Sequence, residues 1–204
     1  MTSLTALSAA DVVGLAPVIP VVVIDDLERA VPLAAALVRG GLPAIEVTLR
    51  TDAALAAIER IAAEVEGAVV GAGTVTTARQ VDEALTAGAR FLVSPGATPT
   101  LLDALQASGV PFLPGVATAS EIVALVERGI GYAKLFPAEI VGGTAALQAF
   151  AGPFPQLRFC PTGGINLTNA PDYLAQPNVA CVGGSWMTRG DVETLAREAA
   201  SLRT

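Results

Sequence analysis

Apolar residues fall along this chain in two alternating rhythms. Short runs rich in β-branched and aliphatic residues recur at 17–24 (PVIPVVVI), 44–49 (AIEVTL), 68–73 (AVVGAG), 90–96 (RFLVSPG), 111–115 (PFLPG), 132–137 (YAKLFP), 158–164 (RFCPTGG) and 178–185 (NVACVGGS). Their length and composition predict buried strands. Between them lie stretches with apolar residues every three or four positions, among them DLERAVPLAAALVRG, TDAALAAIERIAAEVEG, ARQVDEALTAG, TPTLLDALQASG, TASEIVALVERG and DVETLAREAASLR. These predict helices, and several open on Asp or Thr and close on Gly, the residues that satisfy helix ends. Strands alternating with helices predict an α/β fold with a parallel sheet and helical crossovers. Eight such units in 204 residues predict a compact closed (β/α)8 barrel of the TIM type, a single domain over 1–204; a doubly wound open sheet is the alternative.

Composition narrows the chemistry. The chain carries a net charge of −7, its arginines are scattered singly and aromatics are few, so a nucleic-acid surface is not expected and an anionic ligand needs a local site. The longest uncharged N-terminal run, between Asp11 and Asp25, is interrupted by Gly14, Pro17 and Pro20 and is too short to span a bilayer. The opening MTSLTALSAAD has no basic region ahead of an apolar one, so it does not read as a secretory leader, and a cytoplasmic location is expected. Cys160 and Cys181 both lie in strand-like runs, where reduced buried thiols are the common case. Histidine is absent, which removes imidazole bases, Ser-His-Asp and Cys-His nucleophiles, and His-ligated zinc. Carboxylates, lysine, hydroxyls, arginine and backbone amides are left.

In a barrel the site belongs at the C-terminal strand ends, and here those ends carry GAGT (71–74), SPG (94–96), PG (114–115), FPAE (136–139), PTGG (161–164) and GGS (183–185). Any one could be ordinary turn chemistry; together they favour a ligand mouth. Within EVTLR, a period of two sends Ile45, Val47 and Leu49 outward to the helices and Glu46, Thr48 and Arg50 inward. Charges inside a barrel need a reason: either Glu46 and Arg50 pair for structure, or they act on a substrate. Lys134 is the chain's single lysine and sits between Tyr132, Ala133, Leu135 and Phe136. Snorkelling outward is one explanation. The other is a desolvated amine, free near neutral pH, that attacks a carbonyl to form a Schiff base, with Glu46 shuttling protons and Arg50 clamping a substrate carboxylate. The glycine pairs at 163–164 and 183–184, with Thr162 and Ser185 beside them, fall at the seventh and eighth strands, where barrels build phosphate sites from backbone amides.

The segments EVTLRT (46–51), GAGTV (71–75), SPG (94–96), PGVAT (114–118), KLFPAE (134–139), LQAFAGPF (147–154), RFCPTGGI (158–165) and VGGSW (182–186) together closely resemble the bacterial 2-keto-3-deoxy-6-phosphogluconate (KDPG) aldolases, often bifunctional with 4-hydroxy-2-oxoglutarate (KHG). The resemblance runs from about Val18 to the last helix. It implies a (β/α)8 barrel of class I aldolase type, usually a homotrimer, that cleaves KDPG into pyruvate and glyceraldehyde 3-phosphate in the Entner–Doudoroff pathway. It implies Lys134 as the Schiff-base lysine, Glu46 as the proton shuttle, Arg50 and Thr74 as the pyruvate-carboxylate site, and Pro95 and Phe136 as the apolar wall. Thr162, Gly163, Gly164, Gly184 and Ser185 match the distal site for phosphate or a second carboxylate. The partners implied are a small 2-keto acid and a phosphorylated aldehyde, with no metal, dissociable cofactor, membrane or nucleic acid.

One stretch departs from the family pattern. After GGSW, relatives usually carry a longer loop rich in Pro, Ala and Asp, whereas here MTRGD (187–191) enters the final helix almost at once, beside the phosphate end. Two rival classes remain on the residues. A non-enzymatic binding or self-assembling barrel predicts no turnover. A non-covalent phosphate-binding isomerase or synthase explains the glycines but not the buried lysine.

Overall fold

The computed structural model describes residues 7–202. The start of the supposed non-leader sequence (1–6) and Arg203, at the end of the last predicted helix, lie outside the described residues.

The β-rich runs form parallel strands: β1 (Val18–Val22), β2 (Ala44–Thr48), β3 (Val69–Gly73), β4 (Leu92–Val93), β5 (Phe112–Leu113), β6 (Gly115–Val116), β7 (Tyr132–Leu135), β8 (Arg158–Pro161) and β9 (Val182–Gly184). One sheet runs β5-β4-β3-β2-β1-β9 and the other β6-β7-β8. Pro114, which has no amide hydrogen, separates β5 from β6, so these two pieces form one position in the wall. Its carbonyl still accepts from the Lys134 amide at 2.9 Å, carrying the ladder on to β7. On the other side, the bridges Phe159↔Val179 and Thr162↔Gly183 join β8 to the chain entering and within β9. The wall therefore closes on itself, as the eight-unit spacing predicts, and the open doubly wound sheet is set aside.

The predicted helices appear as α2 (Ala30–Arg39), α3 (Ala54–Glu64), α4 (Ala78–Thr86), α5 (Pro99–Ala107), α6 (Ala119–Glu127) and α9 (Val192–Ala200). Thr77, Thr98, Thr118 and Asp191 cap α4, α5, α6 and α9 through their side chains, and Gly88, Gly109 and Gly129 follow α4, α5 and α6 with positive φ. Three further helices, α1 (Ala9–Gly14), α7 (Gly143–Ala151) and α8 (Ala170–Leu174), are not among the predicted helical stretches.

Two apolar layers follow from strand alternation. Ile45 and Val47 of β2 point outward and pack with Leu37, Ile58 and Ile61 of the surrounding helices. Ile19, Ala44, Val69, Phe91, Val93, Leu113, Cys160 and Cys181 form the inner layer. Val12 and Val13 of α1 join that inner layer and stopper the barrel's N-terminal end. The polar residues of the interior are thus left towards the C-terminal mouth.

Candidate active site

Glu46 lies at the middle of β2, between Val21 of β1 and Gly71 of β3, and its side chain follows the inward row that Ala44 begins. Lys134 occupies the equivalent depth on β7, opposite Gly115 and Cys160. The two meet across the barrel. Lys134 Nζ donates to Glu46 Oε1 at 3.0 Å and to Oε2 at 3.4 Å, and the residues are only 5% and 3% exposed. The alternative in which Lys134 snorkels outward is therefore excluded. Removing either charge would leave the other buried without its partner, a change that typically costs about 3–5 kcal/mol. The carboxylate that compensates the ammonium is also within reach to accept its proton.

The neighbours fix this geometry. A side chain at Gly73 would intrude on the Glu46 carboxylate, so the glycine opens the space in which that carboxylate sits. Thr74 follows with φ of 58°, the only positive φ at a non-glycine among the described residues. Threonine rarely adopts this conformation, and such strain persists where the surrounding structure enforces it, often at functional sites. The Phe136 ring centroid lies 5.4 Å from Lys134 Nζ. Pro95 presents its carbonyl to Gly115, the ladder partner of Lys134, and neighbouring buried Ser94 accepts the Gly115 amide proton at 3.3 Å. Gly73→Ala is expected to push the Glu46 carboxylate aside. With Glu46 in the proton-shuttle role that the family resemblance implies, activity should fall about 100-fold, since small displacements of such a group are this costly. Thermal unfolding should register about 1–3 kcal/mol lost.

The glycine loop after β8 is clamped to the loop after β7. Ala138 N donates to Thr162 O at 2.8 Å and Glu139 N to Gly163 O at 3.1 Å. Gly163 and Gly164 have φ of 100° and 84°, and a side chain at Gly164 would run into Glu139. The Tyr173 hydroxyl of α8 donates to the Glu139 carboxylate, and Asn169 Nδ2 donates to Gly164 O at 3.1 Å. Burial, reinforced by the negative Glu139, pushes the Tyr173 phenol well above its ordinary value of 10.0, so it stays a donor across the neutral range. Thr162 is buried, and a side chain at Gly183 would meet its hydroxyl, so the β8 and β9 ends approach closely. Gly184 and exposed Ser185 complete that side of the mouth.

Arg50 lies just past the end of the strand. The inward alternation ends with Thr48, whose Oγ1 donates to Val22 O at 3.1 Å. The Arg50 amide then turns back to Thr48 O at 2.8 Å, and the Arg50 side chain is exposed at the mouth. Among the described residues it pairs with neither Glu46 nor Lys134, so the purely structural Glu46–Arg50 pair does not occur. It lines a cavity of about 410 Å³ with Ser185, Asp25, Arg29, Thr188 and Arg189. The last four were missed in the sequence. Asp25 and Arg29 follow the first strand, whose end was not among those read as the mouth, and Thr188 and Arg189 lie in the stretch that departs from the family pattern.

The sequence model for KDPG and KHG aldolase matches residues 10–199. The chain belongs to that family. The 2-dehydro-3-deoxy-phosphogluconate aldolase of Pseudoalteromonas atlantica is 50% identical over 191 residues, covering 94% of this chain and 89% of that protein. The crystal structure of the 2-keto-3-deoxy-6-phosphogluconate aldolase of Zymomonas mobilis ZM4 with 3-phosphoglycerate superposes with a TM-score of 0.93 at 48% identity, covering 96% of each chain. A KDPG aldolase from Legionella pneumophila, with pyruvate captured at low pH as a covalent carbinolamine intermediate, does so with a TM-score of 0.93 at 45% identity, covering 96% of this chain and 99% of that one. The fold of this chain is that of the KDPG and KHG aldolase family.

Proposed function

We propose that this chain is a class I aldolase that cleaves KDPG to pyruvate and glyceraldehyde 3-phosphate, and KHG to pyruvate and glyoxylate. The observation that carries the reading is the buried Lys134–Glu46 pair at the mouth of a barrel whose sequence matches the family almost end to end. In a site without histidine, a lysine amine is the natural nucleophile towards a ketone, and the resulting iminium is an electron sink.

The steps follow from that pair. Glu46 accepts a proton from Lys134, and the freed amine adds to the C2 carbonyl to give a carbinolamine. Glu46 returns a proton to the departing hydroxyl, water leaves and the iminium forms. Glu46, directly or through water, then removes the C4 hydroxyl proton; the C3–C4 bond breaks, its electrons pass to the iminium nitrogen, and the aldehyde leaves. Protonation of the enamine at C3 and addition of water release pyruvate and regenerate the amine. Because the iminium stores the electron pair, this sequence needs neither metal nor dissociable cofactor.

Other roles rest on position. Arg50 and strained Thr74 hold the keto-acid carboxylate, while Pro95 and Phe136 keep water from the iminium. Thr162 and the amides of Gly163, Gly164 and Gly184, with Ser185, hold the distal phosphate or carboxylate. Residues 1–204 act as one barrel domain. A homotrimer has its support in the family resemblance and in Ile140, an apolar side chain 84% exposed beside the site loop; light scattering reads that state directly. Among the described residues no helix is long and apolar enough to cross a membrane, which agrees with the cytoplasmic location we propose.

The test is turnover of KDPG and KHG, followed by coupling pyruvate to lactate dehydrogenase. Both substrates are expected to yield pyruvate, with KDPG preferred. A folded chain that releases none from either overturns the reading.

A further inference from the structure

The cavity beside Ser185 is unusual in its charge. It gathers three guanidinium groups, Arg29, Arg50 and Arg189, against one carboxylate, Asp25, in a chain whose net charge is −7. Five of the other arginines, Arg39, Arg60, Arg79, Arg128 and Arg197, are spent in surface ion pairs. Among the described residues, the side chains of Arg29, Arg50 and Arg189 make no ion pair or hydrogen bond. Three exposed guanidinium groups lining one cavity without partners leave it open to an anion. The cavity at the barrel's other end, near Ala9 and Tyr132, contrasts with it: its one arginine, Arg128, is already paired with Asp103 at 2.5 Å.

We propose that Arg189, assisted by Arg29, is a specificity-determining residue for the phosphate end of the substrate, a role that rests on the aldolase reading above. Ser185 directly follows β9, and Arg189 comes only four residues later, directly after the short helical turn Trp186–Thr188. The short MTRGD stretch therefore delivers a guanidinium to the cavity that Ser185 lines. Arg29 reaches the same cavity from the turn Leu27–Arg29 after β1. With Arg50 on the keto-acid side, the cavity offers separate cations to the two anionic ends of one phosphorylated sugar acid. A guanidinium fork matches the oxygens of a phosphate dianion in a way that backbone amides and one hydroxyl alone do not. The second carboxylate of KHG carries less charge and gains less from it.

Arg189→Ala should raise KM for KDPG about tenfold, the size of effect expected for a lost charge-assisted hydrogen bond. The change in kcat should be no more than about twofold, and KM for KHG should rise less than about threefold. Inorganic phosphate, as a competitive inhibitor, should weaken about tenfold as well. Arg189→Lys should recover part of each loss, because it keeps the charge and gives up the fork. Arg29→Ala, on a different element, should repeat the pattern more weakly and stands in if Arg189→Ala does not fold. Equal rises in KM for both substrates, or no change in KDPG affinity and phosphate inhibition, would overturn the proposal. Pyruvate trapping on Lys134 reports the aldolase reading and phosphate binding reports the arginines, so the two can fail separately.

Discussion

Lys134→Arg is expected to reduce KDPG turnover by a factor on the order of 10,000 or more, the scale seen when a covalent nucleophile is lost. This substitution separates charge from nucleophilicity. Arginine can still face the Glu46 carboxylate, so the buried ion pair found at 3.0 Å has a replacement partner. Its guanidinium stays protonated and does not form an iminium. The fold should survive with about 1–3 kcal/mol lost to the bulkier head in a packed interior. Lys134→Met should also abolish turnover, but it leaves the Glu46 carboxylate buried and alone and should cost more stability, about 3–5 kcal/mol. Thermal unfolding of the two variants, beside the coupled pyruvate assay, separates these contributions. Residual activity in Lys134→Arg within about 100-fold of the parent would point to a non-covalent reaction.

Glu46→Gln is expected to lower kcat by about 100- to 10,000-fold, the range for removing a positioned acid–base group. The amide is close in shape to the carboxylate and can still accept from Lys134 Nζ, so the site should stay packed. It cannot take up and return protons. Carbinolamine dehydration and cleavage of the C3–C4 bond both slow, whereas binding of the keto acid does not depend on Glu46 in this account. Single-turnover mixing with pyruvate should show adduct formation that is slow but near complete. KM for KDPG should change far less than kcat; a large rise in KM at constant kcat would instead make Glu46 a binding group.

Much of this site was legible because strand alternation is local. The outward row Ile45 and Val47 and the inward pair Glu46 and Thr48 follow from a period of two, and one lysine inside an apolar strand run has few structural explanations. Arg50 lies past the ladder, since β2 stops at Thr48, and it reaches the mouth cavity as an exposed guanidinium and not as a buried interior charge. The split of one wall position into β5 and β6 depends on Pro114, which a run of apolar letters conceals. Helix α1 opens on a Ser8–Asp11 capping box but is only six residues long, whereas α8 is five residues long without a side-chain cap and α7 follows Gly142 at φ 108° without one, so length or start signal is lacking in each. Gly73 reads as a generic turn glycine until the fold brings Glu46 against it. Arg29 and Arg189 sit in connections with no periodicity, and only their convergence on one cavity from opposite ends of the chain gives them meaning.

Borohydride reduction in the presence of pyruvate, read by intact and then peptide mass, shows whether Lys134 forms the Schiff base. Lys134 carries the chain's single lysine amine, so the adduct has one side-chain address. One reduced pyruvate per chain, on the peptide containing Lys134, is the predicted result. A folded protein that takes up no adduct there would contradict the Schiff-base account.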